Sequence, residues 1–171
     1  MKTYSYILFF AVVLLLQVLL LNGMVVSPYV APLIYIACIA AMPLDTSQIV
    51  MLAAGTALGV LMDTAMGVCG LNIIATLPLA FYRRQILRMV AGIPDVAREE
   101  GVPTTLRLGQ VRFAQYLAVM VGAHGVIFFL FESFSFDNAG FLAVRMLCSI
   151  TVTFVLVYIL AQIFAPKFAR R

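Results

Sequence analysis

The sequence is poor in charged residues. Only 11% of its 171 residues are Asp, Glu, Lys or Arg, whereas 64% are hydrophobic and the mean hydropathy is +1.11. A soluble domain averages about 45–50% apolar residues, and a chain this short exposes too much surface to hide such an excess in a core. Lipid accepts that surface, so the composition excludes an ordinary soluble domain and indicates an integral membrane protein.

Residues that carry chemistry are also scarce. His124 is the single histidine, and Cys38, Cys69 and Cys148 lie in apolar segments without a C-x-x-C spacing. A metal site needs several ligands at suitable spacing, and the sequence contains no serine-hydrolase, zinc-peptidase or phosphate-loop motif. We therefore expect no enzyme activity, cofactor or metal, and we interpret His124 as a hydrogen-bonded packing residue. The net charge of +4 gives no nucleic-acid signal.

The apolar residues are gathered into six runs. They lie at about residues 4–21, 29–42, 47–62, 68–82, 113–131 and 141–164. A membrane-spanning helix needs about 20 residues, so the sequence predicts an all-α protein with six transmembrane helices in a single domain, residues 1–171. The first run is longer than the apolar part of a signal peptide and lacks a cleavage site, so we expect a retained helix ending at Gly23.

The second, third and fourth runs are short for membrane spans. Prolines at 28, 32 and 43 bound or interrupt the second run, which needs a turn from its flanks or a locally thin membrane. A short linker at 63–67 predicts that the third and fourth runs form an antiparallel hairpin. The alternative is a third helix that is broken near Asp63, with irregular backbone sheltered by protein.

The basic residues predict the orientation. Residues 83–112 are predicted to form a charged aqueous loop, because they contain six arginines and three carboxylates and are interrupted by Pro94, Gly101 and Pro103. The first part of this loop resembles a surface continuation of the fourth helix. With six spans, this loop and both termini share one side and hold ten of the eleven basic residues, the exception being Arg145. By the positive-inside rule, that side is cytoplasmic.

Small residues recur at every fourth position in the third run. Gly55, Gly59, Asp63 and Gly67 share one drifting helix face, and G-x-x-x-G is a packing signal in apolar spans. The structural interpretation is helix packing inside the domain. The functional interpretation is that this face contacts a partner protein or a ligand.

Asp63 needs an explanation of its own. A carboxylate at membrane depth costs about 2.5–3.5 kcal/mol on insertion scales, so such residues usually pair. Arg145 is the expected partner, because both residues lie near the outer ends of their helices. Glu132 and Asp137 compete for Arg145, and Asp63 at the interface is alternatively just solvated.

Residues 59–72, GVLMDTAMGVCGLN, resemble the MreD family of rod shape-determining proteins, which carries a glycine–apolar–Asp–small–Gly–Leu pattern in its third span. Length, six apolar runs and the basic cytoplasmic side agree. The resemblance implies a bacterial inner-membrane protein of the elongation machinery. Its partners would be the membrane lipid, the bitopic protein MreC, a glycosyltransferase and transpeptidase pair, and indirectly the actin-like MreB. The implied fold resembles the S components of energy-coupling-factor transporters.

Two functions of different classes follow. The first is a non-enzymatic membrane scaffold that couples the cytoskeleton to peptidoglycan synthesis. The second is a small-molecule-binding subunit of a transporter, which would need converging polar groups at the outer mouth of the bundle. Asp63, Asn72, Glu132 and Arg145 are the candidates for such groups, and they could instead satisfy one another.

Overall fold

The computed structural model describes residues 2–21, 28–133 and 138–169, and over these ranges the chain is helical without strands. The helices are α1 (Lys2–Leu15), continued by a π-helical stretch (Leu16–Leu21), α2 (Ile36–Ala40), α3 (Gln48–Met66), α4 (Leu71–Val90), α5 (Thr105–Leu108), α6 (Gln110–Glu132) and α7 (Ala139–Ala169). A single 3-10 turn, Val96–Arg98, lies between α4 and α5.

Three helices are long and apolar enough to cross a membrane, by length and composition. They are α3, α6 and the part of α7 from Ala139 to Pro166. Helix α4 has a comparable length of 20 residues, but its second half carries Arg83, Arg84 and Arg88. The chain is therefore a helical protein of membrane type, as the composition predicted.

The helix predicted over residues 29–42 is not formed. Only Ile36–Ala40 is helical, and the residues before it have irregular backbone. Pro32 explains the interruption, since proline lacks the N–H that a helix interior needs and disfavours helical geometry in the residue before it. All residues from 33 to 40 are nevertheless buried. Residues 31–35, called the irregular segment below, thus run through the interior of the bundle, where surrounding helices shield their backbone.

The predicted hairpin between the third and fourth runs is present as α3 and α4, which pack against each other. Ser47 starts α3 by accepting a hydrogen bond from the backbone N–H of Val50. The helix then continues through Asp63 to Met66 and stops at Gly67, whose φ of 67° favours glycine. The alternative of a helix broken near Asp63 is therefore wrong.

The charged loop predicted over residues 83–112 is shorter than expected and partly buried. Its first eight residues continue α4, and its last three begin α6. Between them, the chain folds back against the bundle, where the Leu44 N–H donates to the Gly101 carbonyl at 2.7 Å. The hydroxyl of Thr105 donates to Oε1 of Gln162 on α7 at 3.0 Å. Apolar and hydroxyl side chains within the loop, rather than its charges, fix this position.

The core is centred on α4 and α6, which pack against each other; α3 covers α4, and α7 covers α6 and α1. The buried segment that ends in α2 contacts α1, α4 and α6. The predicted end of the first helix at Gly23 and the predicted outer residue Asp137 lie outside the described residues.

Candidate functional site

Two of the four predicted small-face residues bring α3 into backbone contact with α4. A Cβ added at Gly59 would lie 2.7 Å from the Cα of Ile73, and one added at Gly55 would lie 2.9 Å from the Cβ of Ala80. Real carbon atoms do not approach so closely without displacement of the neighbouring backbone. This face is covered by α4, so it serves packing within the chain and is not open to a partner.

Gly67 has a different role from Gly55 and Gly59. It follows the last residue of α3 in the left-handed conformation, and its N–H donates to the Asp63 carbonyl. A Cβ added at Gly67 would meet no atom within 4 Å. Its requirement for glycine is therefore conformational, because it terminates a helix, and does not come from close packing.

Asp63 caps the helix that follows it. Its Oδ1 accepts hydrogen bonds from the backbone N–H of Asn72 at 2.8 Å and from Asn72 Nδ2 at 2.9 Å. Helix α4 begins after Gly70, which has no side chain to cap it, so the preceding helix supplies the acceptor. A carboxylate is also favoured at this position by the positive end of the helix dipole. Capping explains why a charged group is retained in a position that is only 6% exposed.

The predicted ion pair between Asp63 and Arg145 is not formed. Arg145 instead binds Glu132 in a bidentate pair, with N–O distances of 2.8 and 3.1 Å. Its guanidinium also lies 5.4 Å from the centre of the Phe129 ring. Glu132 was one of the two competing partners named from the sequence. It lies close to Arg145 because it is the last residue of α6, the helix against which α7 packs.

A buried polar cluster, the Tyr35 cluster, joins Tyr35 to Asn72 and Thr76 of α4 and His124 of α6. Tyr35 Oη donates to Asn72 Oδ1 at 2.8 Å, lies 3.2 Å from Thr76 Oγ1 and 2.8 Å from His124 Nε2. Because the Tyr35 hydroxyl proton is used on Asn72, the histidine Nε2 is the donor in the remaining bond. His124 thus acts as the hydrogen-bonded packing residue that the sequence suggested.

The hydrogen bonds of the Tyr35 cluster continue to Asp63 through the side-chain amide of Asn72. In this chain His124 donates to Tyr35, Tyr35 donates to Asn72, and Asn72 donates to Asp63 Oδ1. All three donors are therefore oriented towards the carboxylate, which stabilises its negative charge inside the bundle. The sequence singled out Asp63, Asn72 and His124 separately. It missed Tyr35, because a tyrosine in an apolar run gives no signal that its hydroxyl lies inside the bundle.

Side chains from two helices hold the irregular backbone before α2. Gln17, in the π-helical stretch, accepts from the N–H of Ile34 at 2.7 Å and donates to the carbonyl of Pro32 at 3.1 Å. From α7, Thr153 accepts the N–H of Leu33 at 3.0 Å. Ser149 likewise accepts the N–H of Ala31 at 3.0 Å. These bonds replace the helical bonds that the segment lacks, as burial requires.

Arg83 likewise binds backbone groups, at the C-terminal end of α2. It is 1% exposed, and it donates to the carbonyls of Ala40 at 3.3 Å, Pro43 at 3.4 Å and Met42. Its Nε donates to Tyr116 Oη at 3.1 Å, and that hydroxyl donates to Ala40. Within the described ranges, no carboxylate lies within ion-pair distance of Arg83. The charge is therefore balanced by carbonyl dipoles at the end of α2.

Two small cavities lie among the described residues. One cavity of about 20 Å³ lies between α1, α2, α6, α7 and the loop at Val102, and another of about 10 Å³ lies beside His124. A single water needs about 10–15 Å³, so each of these two cavities holds one or two water molecules at most. Among the described residues, no group of three His, Cys, Asp or Glu side chains could hold a metal ion.

Comparisons with known proteins give no further assignment. No protein-family model matches the chain, and searches of curated proteins and of solved structures find no significant match. The arrangement is that of a helical membrane protein whose buried polar groups bind one another and the irregular segment. These hydrogen bonds fix the positions of the described helices relative to one another.

Proposed function

We propose that this chain is a non-enzymatic membrane scaffold of the bacterial cell-elongation complex, of the kind represented by the MreD family. The observation that carries the proposal is how the motif of residues 59–72 folds. Gly59 packs against α4, Asp63 caps it, and Gly67 ends α3. Since each of these residues is used within the α3–α4 hairpin, the motif supports a structural role over a chemical one.

The proposed topology has six crossings, of which one is not a continuous helix. Tyr35 binds Asn72 at the start of α4, and Pro43 binds Arg83 in the second half of α4. Residues 35–43 therefore lie alongside α4 for about 16 Å, at 1.5 Å per helical residue, and form part of one proposed crossing. Together with α1 and its π-helical extension, α3, α4, α6 and α7, it makes six passes. The N-terminus, the loop after α4 and the C-terminus then face the cytoplasm.

The outward faces of the helices support a scaffold that acts through lateral contacts. Large apolar side chains on α1, α3 and α7 are exposed, among them Leu15, Ile49 and Leu147. These faces would contact membrane lipid, the bitopic protein MreC, and the glycosyltransferase and transpeptidase of the complex, with the actin-like MreB bound indirectly. The alternative of a ligand-binding transporter subunit has less support, because the cavities beside α1 and beside His124 are small and Asp63 Oδ1 is occupied by Asn72. Asp63 Oδ2 is buried without a hydrogen-bond partner in the described chain.

Reporter fusions test the topology. A reporter that is active only in the cytoplasm should be active when it is fused after residue 95 or at the C-terminus, and inactive when it is fused at Ser133. Activity at all three sites, or at none, would contradict the six-pass arrangement and the assignment to the cytoplasmic membrane.

Affinity purification tests the function. The full chain should co-purify with MreC and with the wall-synthesising pair from a rod-shaped bacterium, and its depletion should round the cells. Co-purification with an ATP-driven transporter module in place of those proteins, and normal cell shape after depletion, would favour the ligand-binding alternative.

A further inference from the structure

The cytoplasmic ends of α4 and α6 carry two arginines that the fold does not use. Arg88 and Arg112 are exposed, and neither forms a hydrogen bond or ion pair with the rest of the described chain. Of the three loop carboxylates, Asp95 pairs with Arg98 at 3.0 Å and Glu99 pairs with Arg107, whereas the exposed Glu100 pairs with no described residue. Arg88 and Arg112 form no ion pair with any of the three.

The two arginines belong to one surface. Arg88 lies in the last turn of α4. A Cβ added at Gly92, just after that helix, would lie 3.4 Å from a terminal nitrogen of Arg112. Arg112 thus reaches from the start of α6 over the end of α4, where Arg88 also lies.

Exposed apolar side chains adjoin these charges. Met89 is 78% exposed next to Arg88, and Val111 is 70% exposed next to Arg112. Phe81 and Tyr82, both half-exposed, lie one to two turns earlier on α4, where aromatic residues typically mark the membrane interface. Arg88 is six residues beyond Tyr82, or about 9 Å along the helix, so its long side chain reaches the headgroup layer.

We propose that Arg88 and Arg112 form a binding surface for the phosphate of an anionic phospholipid. A guanidinium donates two parallel hydrogen bonds to a phosphate, and unpaired basic residues at the cytoplasmic surface attract anionic lipid. This inference goes beyond the proposed scaffold role and rests only on insertion in a membrane with α4 and α6 ending at its surface.

Native mass spectrometry of the full chain, mixed in detergent with equal amounts of phosphatidylglycerol and phosphatidylcholine, tests the surface. The wild type should retain phosphatidylglycerol preferentially. The preference should fall by about fivefold for each arginine replaced in Arg88→Gln and Arg112→Gln. Arg98→Gln is the matched control, because Arg98 is also exposed but is already paired with Asp95, and it should leave the preference unchanged.

A charge-keeping variant separates lipid binding from folding. Arg88→Lys combined with Arg112→Lys should retain most of the preference at low salt, and raised salt should abolish it. A wild type without preference, a glutamine double variant that keeps it, or an equal loss in Arg98→Gln would each overturn the proposal. Retention by the double variant would leave an acidic protein as the occupant of this surface. None of these outcomes depends on whether the chain binds MreC.

Discussion

Arg83 and Tyr116 form one hydrogen-bonded unit, in which Arg83 Nε donates to Tyr116 Oη at 3.1 Å and both side chains donate to the carbonyl of Ala40. The two residues lie on α4 and α6, and their shared acceptor ends α2. The unit therefore connects α4, α6 and the C-terminal end of α2 by hydrogen bonds.

Replacing Arg83 with Met should destabilise the protein strongly. The change leaves the carbonyls of Ala40, Met42 and Pro43 without this donor, and each buried polar group without a partner costs about 1–3 kcal/mol. Unfolding in detergent, followed by circular dichroism, should show a loss of at least about 3 kcal/mol. Arg84→Met is the control, because Arg84 is only half-buried and donates to a single carbonyl, that of Thr46. Equal losses in the two variants would contradict the role assigned to Arg83.

Gly59→Ala should destabilise the α3–α4 hairpin, whereas Gly122→Ala should not. The new Cβ at residue 59 would press on the backbone of Ile73, and overpacking of this kind costs about 1–3 kcal/mol. At Gly122 a Cβ meets no atom within 4 Å, so alanine should gain about 0.5–1 kcal/mol from helix propensity. The free energy of unfolding in detergent measures both changes.

Gly59→Leu extends the same test to the cell. The larger side chain should separate the helices, and in a rod-shaped host we expect rounding or loss of width control. Wild-type stability together with full complementation would show that this packing face is dispensable.

Double-mutant cycles should couple Asp63 to Asn72 and leave it uncoupled from Arg145. Asp63→Asn and Asn72→Ala both act on the same buried contact, so their coupling should be about 0.5–3 kcal/mol. Asp63→Asn and Arg145→Gln should add to within about 0.5 kcal/mol. The Glu132–Arg145 pair is about 30% exposed on each side, so its own coupling should be at most about 1 kcal/mol. Strong coupling between Asp63 and Arg145 would revive the ion pair first expected from the sequence.

The sequence predicted the regular part of the fold well, for a physical reason. Apolar runs that begin and end at polar, glycine or proline residues carry enough local information to locate α1, α3, α4, α6 and α7. The spacing of Gly55 and Gly59 likewise placed them on one face, because helix geometry alone determines that face. The end of α4 was less certain, since an arginine-rich sequence is compatible with both a loop and a helix.

The irregular segment before α2 could not be predicted, because residues far away in sequence stabilise it. The backbone N–H of Leu33 is hydrogen-bonded to Thr153 and that of Ile34 to Gln17. No local sequence pattern predicts such distant partners. Arg83 was assigned to an aqueous loop for the same reason: its acceptors are carbonyls about 40 residues earlier. Nothing in the composition distinguishes such an arginine from an exposed one.

Thr153→Val should destabilise the irregular segment, and the nearby change Thr151→Val should have little effect. Valine keeps the shape of threonine but removes the oxygen that accepts the N–H of Leu33. The buried N–H then lacks a partner, at a cost of roughly 1–2 kcal/mol in a membrane protein. Thr151 lies on the exposed face of α7 and only returns its hydroxyl to the Leu147 carbonyl of the same helix.

Hydrogen exchange measures the effect at the segment itself. The amides of Ala31 and of residues 33–35 should exchange faster in Thr153→Val than in the wild type, while those of α3 should keep their protection. Ser149→Ala removes the acceptor for the N–H of Ala31. It should therefore accelerate exchange at Ala31, two residues before Leu33. Unchanged exchange at Leu33 in Thr153→Val would mean that the threonine hydroxyl does not hold this backbone, and that Gln17 and the packing of the bundle suffice.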